Sequence, residues 1–233
     1  MKSFATIRDR AAKRKGGDKV LASLLGAKPN NKAVAKIPDD RILSTMAERV
    51  FSAGFVWRVI EQKWPGFEAA FLGFEPKRLN FQPDEFWEGL TRDERIVRNP
   101  QKIRSVRDNS LFVERVSKEH GGFGTFLAQW PADDQVGLVG YLGKHGSRLG
   151  GNTGQYFLRW LGWDTFMLSG DTVLALRDAG LDIAESPSSK KDMAAIQAQM
   201  NAWAKETGLP RAHLSRILSM SIGENRSADE LRS

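Results

Sequence analysis

The chain contains no cysteine, and this absence excludes two classes of site. Disulfide frameworks and cysteine-ligated zinc sites both need thiols, so neither can form here. Histidine is also scarce: only His120, His145 and His213 are present, and none has the close carboxylate–histidine spacing of a metal site. We therefore expect no metal and no cofactor. A chain without cysteine also fits a protein of the reducing cytoplasm.

Long hydrophobic runs are absent as well. No apolar run reaches the roughly 18 residues that a membrane span needs, so we expect no membrane partner. Asp9, Gly16 and Asp18 interrupt the stretch where the core of a signal peptide would lie. What is present fits a globular protein, because 41% of the 233 residues are hydrophobic and seven are tryptophan. The net charge of +7 favours a phosphate-rich partner.

Apolar residues recur at helical spacing along most of the chain, and no pair of strands stands out, which predicts an all-α fold. Three parts are expected: a basic segment at 1–36, a helical core at 37–185, and C-terminal helices at 186–233 that pack with the N-terminal part. The basic segment has two interpretations. It is a solvated leader, or it is a helical arm that touches DNA phosphates or packs on the C-terminal helices. Nothing indicates a coiled coil or an exposed strand edge, so we expect a monomer.

Local signals set several helix boundaries. Asp39 or Asp40 is expected to cap a helix that breaks at 52–54, and the next helix is expected to end near Pro65. The stretch 135–142 is ambiguous between strand and helix, and its helical neighbours favour helix. Asn99 before Pro100 is expected to hold a turn, and contact with DNA is the alternative.

A glycine-rich turn at 149–153 precedes the apolar, helix-patterned run at 156–161. Such a turn leaves backbone N–H groups free at the positive end of the helix dipole, and this arrangement suits a phosphate. The candidate phosphate contacts are the turn residues Gly150, Gly151, Asn152 and Thr153, the neighbouring cations Lys144 and Arg148, and Lys102 from an earlier part of the chain. For Lys102 a structural role is an equal alternative.

Asp171 opens the helical run that follows. An aspartate at such a place caps the helix by accepting from the free N–H groups of its first turn. The same carboxylate can instead face a cleft and do chemistry. The spacing alone leaves both interpretations open.

Several motifs resemble those of a known family. The stretch 146–181 resembles the helix-hairpin-helix and following acidic loop of the HhH-GPD superfamily of DNA glycosylases. Ala-Gly-Phe-Val-Trp at 53–57 and Ile-Val-Arg-Asn-Pro-Gln-Lys-Ile at 96–103 are similar to the Q-A-G-L-S-W and I-V-R-N-x-x-K-I motifs of 3-methyladenine DNA glycosylase I. The segment 71–76 is similar to the F-x-x-F-D-P of that family. The similarity covers roughly 39–161 and the acidic loop.

The resemblance implies a two-lobed helical fold that binds damaged double-stranded DNA and flips a base out of the stack. It implies hydrolysis of the N-glycosidic bond of alkylated purines such as 3-methyladenine. Trp57, Phe51 and Phe55 would stack on the base, although core packing is the alternative for each. Asp171 resembles the catalytic aspartate of other superfamily members, which the 3-methyladenine I enzymes lack, and it would stabilise the sugar cation and orient the attacking water. Asn152 stands where bifunctional members carry a lysine, which implies a monofunctional enzyme.

The departures from the family leave the substrate open. Cys/His zinc ligands and the N-terminal aromatic motif have no counterpart here. The glutamate that reads the base lies four residues before the motif alanine in the family, and that position is Arg49, with Glu48 beside it. A shift of one residue turns a side chain by about 100° around a helix, so either residue can face the pocket. The alternatives are therefore a glycosylase for another lesion, a non-catalytic helix-hairpin-helix protein that binds DNA, or a helical scaffold.

Overall fold

A computed structural model describes residues 1–230 and confirms the all-α prediction, since no strand occurs in that range. The helices are α1 (Phe4–Lys15), α2 (Asp18–Leu24), α3 (Asn31–Val34), α4 (Asp39–Ser52), α5 (Trp57–Ala70), a 3₁₀ turn (Leu72–Phe74), α6 (Pro76–Asn80), α7 (Asp84–Leu90), α8 (Pro100–His120), α9 (Phe123–Gln129), α10 (Gln135–His145), α11 (Gly151–Trp160), α12 (Gly170–Asp178), α13 (Lys190–Thr207) and α14 (Arg211–Ser221). The expectation of helix at 135–142 is confirmed by α10. Within residues 1–230, no helix is both long and apolar enough to cross a membrane.

The chain forms two compact units. The central unit comprises residues 30–131 and 137–163, and the terminal unit comprises residues 1–29, 132–136 and, within the described range, 164–230. Each unit has its own cluster of buried hydrophobic residues. The candidate site described below lies within the central unit.

The core of the central unit is rich in phenylalanine. Phe67, Phe71 and Phe74 are fully buried, as their helical spacing predicts. Trp64 stacks between Phe67 and Phe74, with ring centroids 4.9 and 5.4 Å away. The prediction that the helix ends near Pro65 was wrong, because α5 continues through the proline to Ala70. Burial of Phe67 in the next turn outweighs the hydrogen bond that the proline removes.

Glu68, on the same helix, joins α4 to α5. Its carboxylate accepts from Arg41 Nη1 and Nη2 at 2.8 and 2.9 Å, from Ser44 Oγ at 2.7 Å, and from Trp64 Nε1 at 3.2 Å. Burial raises the pKa of this carboxyl, but the four donors outweigh it and hold the pKa below its ordinary value. Glu68 thus stays charged and fixes the helix pair that leads into the site.

The start of α4 differs from the sequence prediction. Its N-cap is Pro38, and no side chain caps it. Asp39 Oδ1 instead accepts from Phe123 N at 3.0 Å, at the start of α9, and Asp40 pairs with Arg41 at 3.0 Å. Both carboxylates lie in the first turn of α4, where their negative charge interacts favourably with the positive end of the helix dipole.

The basic N-terminal segment is not a solvated leader. Phe4 and Ile7 of α1 are buried in the terminal unit, against α14 and its neighbours. Arg14 Nη2 donates to Gly223 O at 2.7 Å, and Lys15 Nζ donates to Arg226 O at 2.6 Å. These cations bind the chain that follows α14, so within the terminal unit they hold the fold together.

Candidate functional site

A cavity of about 640 Å³ opens in the central unit between the end of α4, the loop from α4 to α5, and α11. This volume lies within the roughly 300–1,000 Å³ of small-molecule sites. The cavity is lined by Glu48, Arg49, Ser52, Ala53, Gly54, Phe55, Trp57, Glu61, Asn152, Thr153, Tyr156 and Trp160. The structure therefore brings together two groups that the sequence treats separately, the expected base pocket and the glycine-rich turn.

Four aromatic side chains around this cavity are exposed. The exposed fractions are 45% for Phe55, 55% for Trp57, 48% for Tyr156 and 57% for Trp160. Aromatic side chains of this size are normally buried, and an exposed cluster around one cavity marks a binding surface. Flat rings facing a cavity suit a flat ligand.

Phe51 does not belong to the cavity, although the sequence placed it in the base pocket. It is fully buried and packs edge-to-face on Phe67, with the ring centroids 4.7 Å apart. Its position on α4 directs the ring into the core, while Arg49 and Ser52 on the same helix face the cavity.

Arg49 and Glu48 both line the cavity, so the shift of one residue along α4 excludes neither side chain from it. Only 10% of the Arg49 side chain is exposed, and its Cζ lies 4.1 Å from the centroid of the Trp160 ring. Nη2 of Arg49 forms an ion pair with Oε1 of Glu48. Within residues 1–230, Nε of Arg49 is buried and has no hydrogen-bond partner.

Lys102 supports the cavity from behind. It is buried, and its Nζ donates to Phe51 O at 3.1 Å and to Ala53 O at 2.7 Å, at the end of α4. The ammonium also lies 4.7 Å from the centroid of the Phe55 ring. Burial lowers the pKa of Lys102, and the positive charge of Arg148 lowers it further. Of the two roles that the sequence left open, this placement favours the structural one.

Asn99 holds the start of α8, as the sequence predicts. Its Oδ1 accepts from Lys102 N at 3.1 Å and caps the helix. The cap sets the first turn of α8, and therefore the position from which Lys102 reaches the end of α4.

The glycine-rich turn joins α10 to α11 as a helical hairpin. Gly143 and Gly150 allow a close approach, since a Cβ on Gly143 would lie 3.0 Å from Gly150 Cα. Buried Asn109 of α8 fixes the turn through Ser147: Nδ2 of Asn109 donates to Ser147 O at 3.0 Å, and Ser147 N donates to Asn109 Oδ1 at 2.7 Å. The hairpin is thereby held rigidly against the longest helix of the unit.

The predicted phosphate contacts lie mostly on the exposed side of this hairpin. Gly150, Gly151 and Asn152 are exposed, and Thr153 is half-buried. Gly150 is the N-cap of α11 and has no side chain to cap the helix, so the N–H groups of the first turn can donate to a ligand. The exposed cations are Lys144 and Arg148, and an Nη2 group of Arg148 donates to Gln101 Oε1.

Asp171 lies in the terminal unit, in the first turn of α12. The helix is capped by Ser169, whose Oγ accepts from Thr172 N at 3.2 Å, so capping is not the role of Asp171. The carboxylate is exposed and lies close against Gly223, where an added Cβ would collide with it. The catalytic role of Asp171 stays a prediction.

Sequence reasoning missed Tyr156, Trp160 and Glu61 as lining residues. A signal for the first two was present. Asn152, Tyr156 and Trp160 recur at every fourth position of α11, so they share one face of that helix. Aromatics at helical spacing were assigned to the core, and only the packing of α11 shows that this face is open.

Metal ligands do not cluster in the described part of the chain. Within residues 1–230, no group of three His, Cys, Asp or Glu side chains is placed to hold a metal ion.

Comparison with known proteins shows where the chain is similar to others. The model of the methyladenine glycosylase family matches residues 33–137, just under half of the chain. This match confirms, for that segment, the resemblance that the motifs predicted. None of the curated proteins matches the chain.

Solved structures give weaker likenesses. 3-Methyladenine DNA glycosylase I from Staphylococcus aureus is 20% identical, with 54% of this chain and 77% of that chain covered and a TM-score of 0.49. Another structure of 3-methyladenine DNA glycosylase I is 20% identical, covers 58% of this chain and 82% of its own, and has a TM-score of 0.48. A variant solved in complex with 3-methyladenine is 20% identical, covers 55% and 80%, and has a TM-score of 0.48.

Proposed function

We propose that the chain is a monofunctional DNA N-glycosylase that binds damaged double-stranded DNA and removes alkylated purine bases by hydrolysis. One observation carries the proposal. The cavity is ringed by four exposed aromatic side chains and a helical hairpin, and its wall from Glu48 to Glu61 lies inside the segment matched by the methyladenine glycosylase family. The hairpin of α10 and α11 supports the wider assignment to the HhH-GPD superfamily.

Substrate binding begins at the DNA backbone. The uncapped first turn of α11 and the exposed cations Lys144 and Arg148 offer N–H donors and positive charge to phosphates. Asn152 and Thr153 belong to this turn and also line the cavity. A phosphate held at the turn therefore places the neighbouring nucleotide at the mouth of the cavity.

The target base has to leave the stack before it reaches the cavity, which costs a few kcal/mol. Stacking on an exposed aromatic side chain contributes about 1–3 kcal/mol per base, so Trp57, Tyr156 and Phe55 supply a free energy of the required size. The cavity then replaces the stack that the base has lost.

Hydrolysis builds positive charge on the sugar while the bond to the base breaks. A carboxylate near that sugar stabilises the charge and orients the attacking water. Asp171 is the candidate by resemblance, and Glu48 and Glu61 are the carboxylates of the cavity itself. Among residues 1–230, no lysine lines the cavity, and Asn152 stands at the position where a bifunctional enzyme carries its amine nucleophile. The product is therefore an abasic site in an intact strand.

Release of free bases from alkylated duplex DNA tests this function. Trp57→Ala should slow release about tenfold or more through the lost stacking, while Val59→Ala, an exposed apolar change outside the cavity, should leave the rate unchanged. Asp171→Asn tests the carboxylate: loss of release with intact DNA binding supports its catalytic role. Equal release by wild type and Trp57→Ala contradicts this cavity as the base site, and tight DNA binding without any release indicates a non-catalytic DNA-binding protein.

A further inference from the structure

We propose that the cavity selects neutral alkylated purines that offer hydrogen-bond acceptors, in preference to cationic N-alkylpurines such as 3-methyladenine, and that Arg49 is the residue that makes this choice. The inference rests on the proposed glycosylase function and narrows its substrate class. Arg49 contacts Glu48 and Trp160, while its buried Nε has no hydrogen-bond partner among the described residues.

Arg49 is a buried cation with spare donors. Nine-tenths of its side chain is buried in the cavity wall, and Nη2 forms an ion pair with Glu48. A guanidinium carries five N–H donors. Within residues 1–230, Nε is buried without a partner. Because Nε itself is enclosed, a ligand in the cavity meets the remaining N–H groups of Nη1 and Nη2, and buried guanidinium donors of this kind normally find an acceptor.

Arg49 also occupies two of the features that would attract a cationic base, the Trp160 ring and the Glu48 carboxylate. Cations bind to the faces of tryptophan rings, and the Arg49 guanidinium already lies 4.1 Å from the centroid of the Trp160 ring. The carboxylate of Glu48 is already paired with the same guanidinium. Glu61, the remaining lining carboxylate, is exposed. A positively charged base would therefore meet a like charge in the wall of the cavity.

The shape and chemistry of the cavity indicate a purine as the partner of Arg49. Arginine pairs with adjacent ring-nitrogen and carbonyl acceptors on a purine edge. A DNA phosphate is the other ligand with such acceptors, but a phosphate gains nothing from the exposed rings of Trp57, Tyr156 and Phe55. 1,N6-Ethenoadenine is a neutral alkylated purine whose exocyclic amino group has become a ring acceptor next to N7, so it matches the donors of Arg49.

A neutral purine is a poorer leaving group than a cationic one, because it has no positive charge of its own to accept the electrons of the breaking bond. The guanidinium of Arg49 supplies that positive charge from outside the base. The C1′–N9 bond breaks with its electron pair passing to the purine, the oxygen of water bonds to C1′, and the proton released by water ends on the purine. Negative charge builds on the purine during this step. A fixed guanidinium next to it stabilises that charge, and it does so without losing its own proton.

The test compares two duplexes under enzyme excess, one carrying a single 1,N6-ethenoadenine and one methylated to contain 3-methyladenine. Each release rate is divided by the spontaneous rate for the same lesion. The wild type should favour ethenoadenine by about tenfold or more. Arg49→Glu should reverse that preference, and Arg49→Met, which keeps the stem over Trp160, should abolish it. Arg58→Glu is the matched control, because Arg58 also lies over a tryptophan, 5.5 Å from the Trp57 ring centroid, but does not line the cavity.

The outcomes separate this inference from the proposed function. A wild type that releases 3-methyladenine preferentially, with the preference unchanged in Arg49→Met, upholds the glycosylase and overturns the inference. An equal loss of affinity for undamaged and damaged DNA in Arg49→Met makes Arg49 a phosphate contact and also overturns it. A wild type that releases neither base overturns both proposals. Thermal unfolding of both Arg49 variants confirms that a changed preference comes from folded protein.

Discussion

Replacing Lys102 with methionine distinguishes a lysine that supports the cavity from one that binds DNA. The ammonium donates to Phe51 O and Ala53 O, and each hydrogen bond to a charged group contributes about 1.5–3 kcal/mol. The gross loss is therefore about 3–6 kcal/mol. Burial of the charge, which lowers the pKa of Lys102, offsets part of this, and methionine keeps the apolar stem packed. We expect Lys102→Met to lower the free energy of unfolding by about 2–3 kcal/mol.

Urea unfolding measures this loss directly, since a stability change moves the midpoint while the slope stays the same. Arg104→Met removes the same charge from an exposed position of α8 and should change stability by less than about 0.5 kcal/mol. The salt dependence of DNA binding gives the second readout. A structural lysine leaves the slope unchanged, whereas a phosphate contact lowers it by about one unit. Unchanged stability together with a reduced slope would refute the structural role of Lys102.

Three further predictions concern the same unit. Burial lowers the pKa of Lys102, so the unfolded chain binds the Lys102 proton more tightly than the folded chain does. The stability of the wild type relative to Lys102→Met should therefore rise as the pH increases from the folded-state pKa towards 10.5. A difference in urea midpoints that does not change with pH would contradict this prediction. Asn109→Ala removes both hydrogen bonds to the hairpin turn, so it should lower the free energy of unfolding by about 2 kcal/mol and weaken DNA binding. DNA binding at the wild-type level would contradict the role of Asn109 in holding the turn. Gly154→Ala places a methyl group against Leu149 O and should lower the free energy of unfolding by about 1–3 kcal/mol. Gly140→Ala has open space around the new methyl group and should stabilise α10 by up to about 1 kcal/mol. Equal thermal midpoints for the two variants would contradict the close packing of the hairpin.

Helical periodicity was sufficient to predict the fold class, because apolar residues at 3.6-residue spacing need a core on one side. Local rules failed where burial outweighed them. Pro65 marks a helix end by its chemistry, yet α5 continues because Phe67 and the residues after it lose more by leaving the core than the proline costs. Asp39 has the chemistry of a cap, but its carboxylate serves α9, far along the chain.

The candidate site could be predicted only in part, for a related reason. Trp57 and Phe55 were found through a motif, whereas Tyr156 and Trp160 have the same helical spacing as core aromatics. Periodicity identifies a face of a helix but does not say whether another element covers it. Charge was equally ambiguous. Lys102 and Arg49 look like surface cations in the sequence, and the structure buries both against groups that lie on other helices.

The most direct test of the central claim is chromatography of the bases released from a duplex carrying one alkylated purine, incubated with excess protein. The glycosylase proposal predicts free alkylated base in solution and a strand that stays intact until alkali cleaves the abasic site. Absence of free base in spite of tight binding to the duplex would contradict catalysis. Strand cleavage without alkali would contradict the monofunctional mechanism assigned to a site with Asn152 in place of lysine.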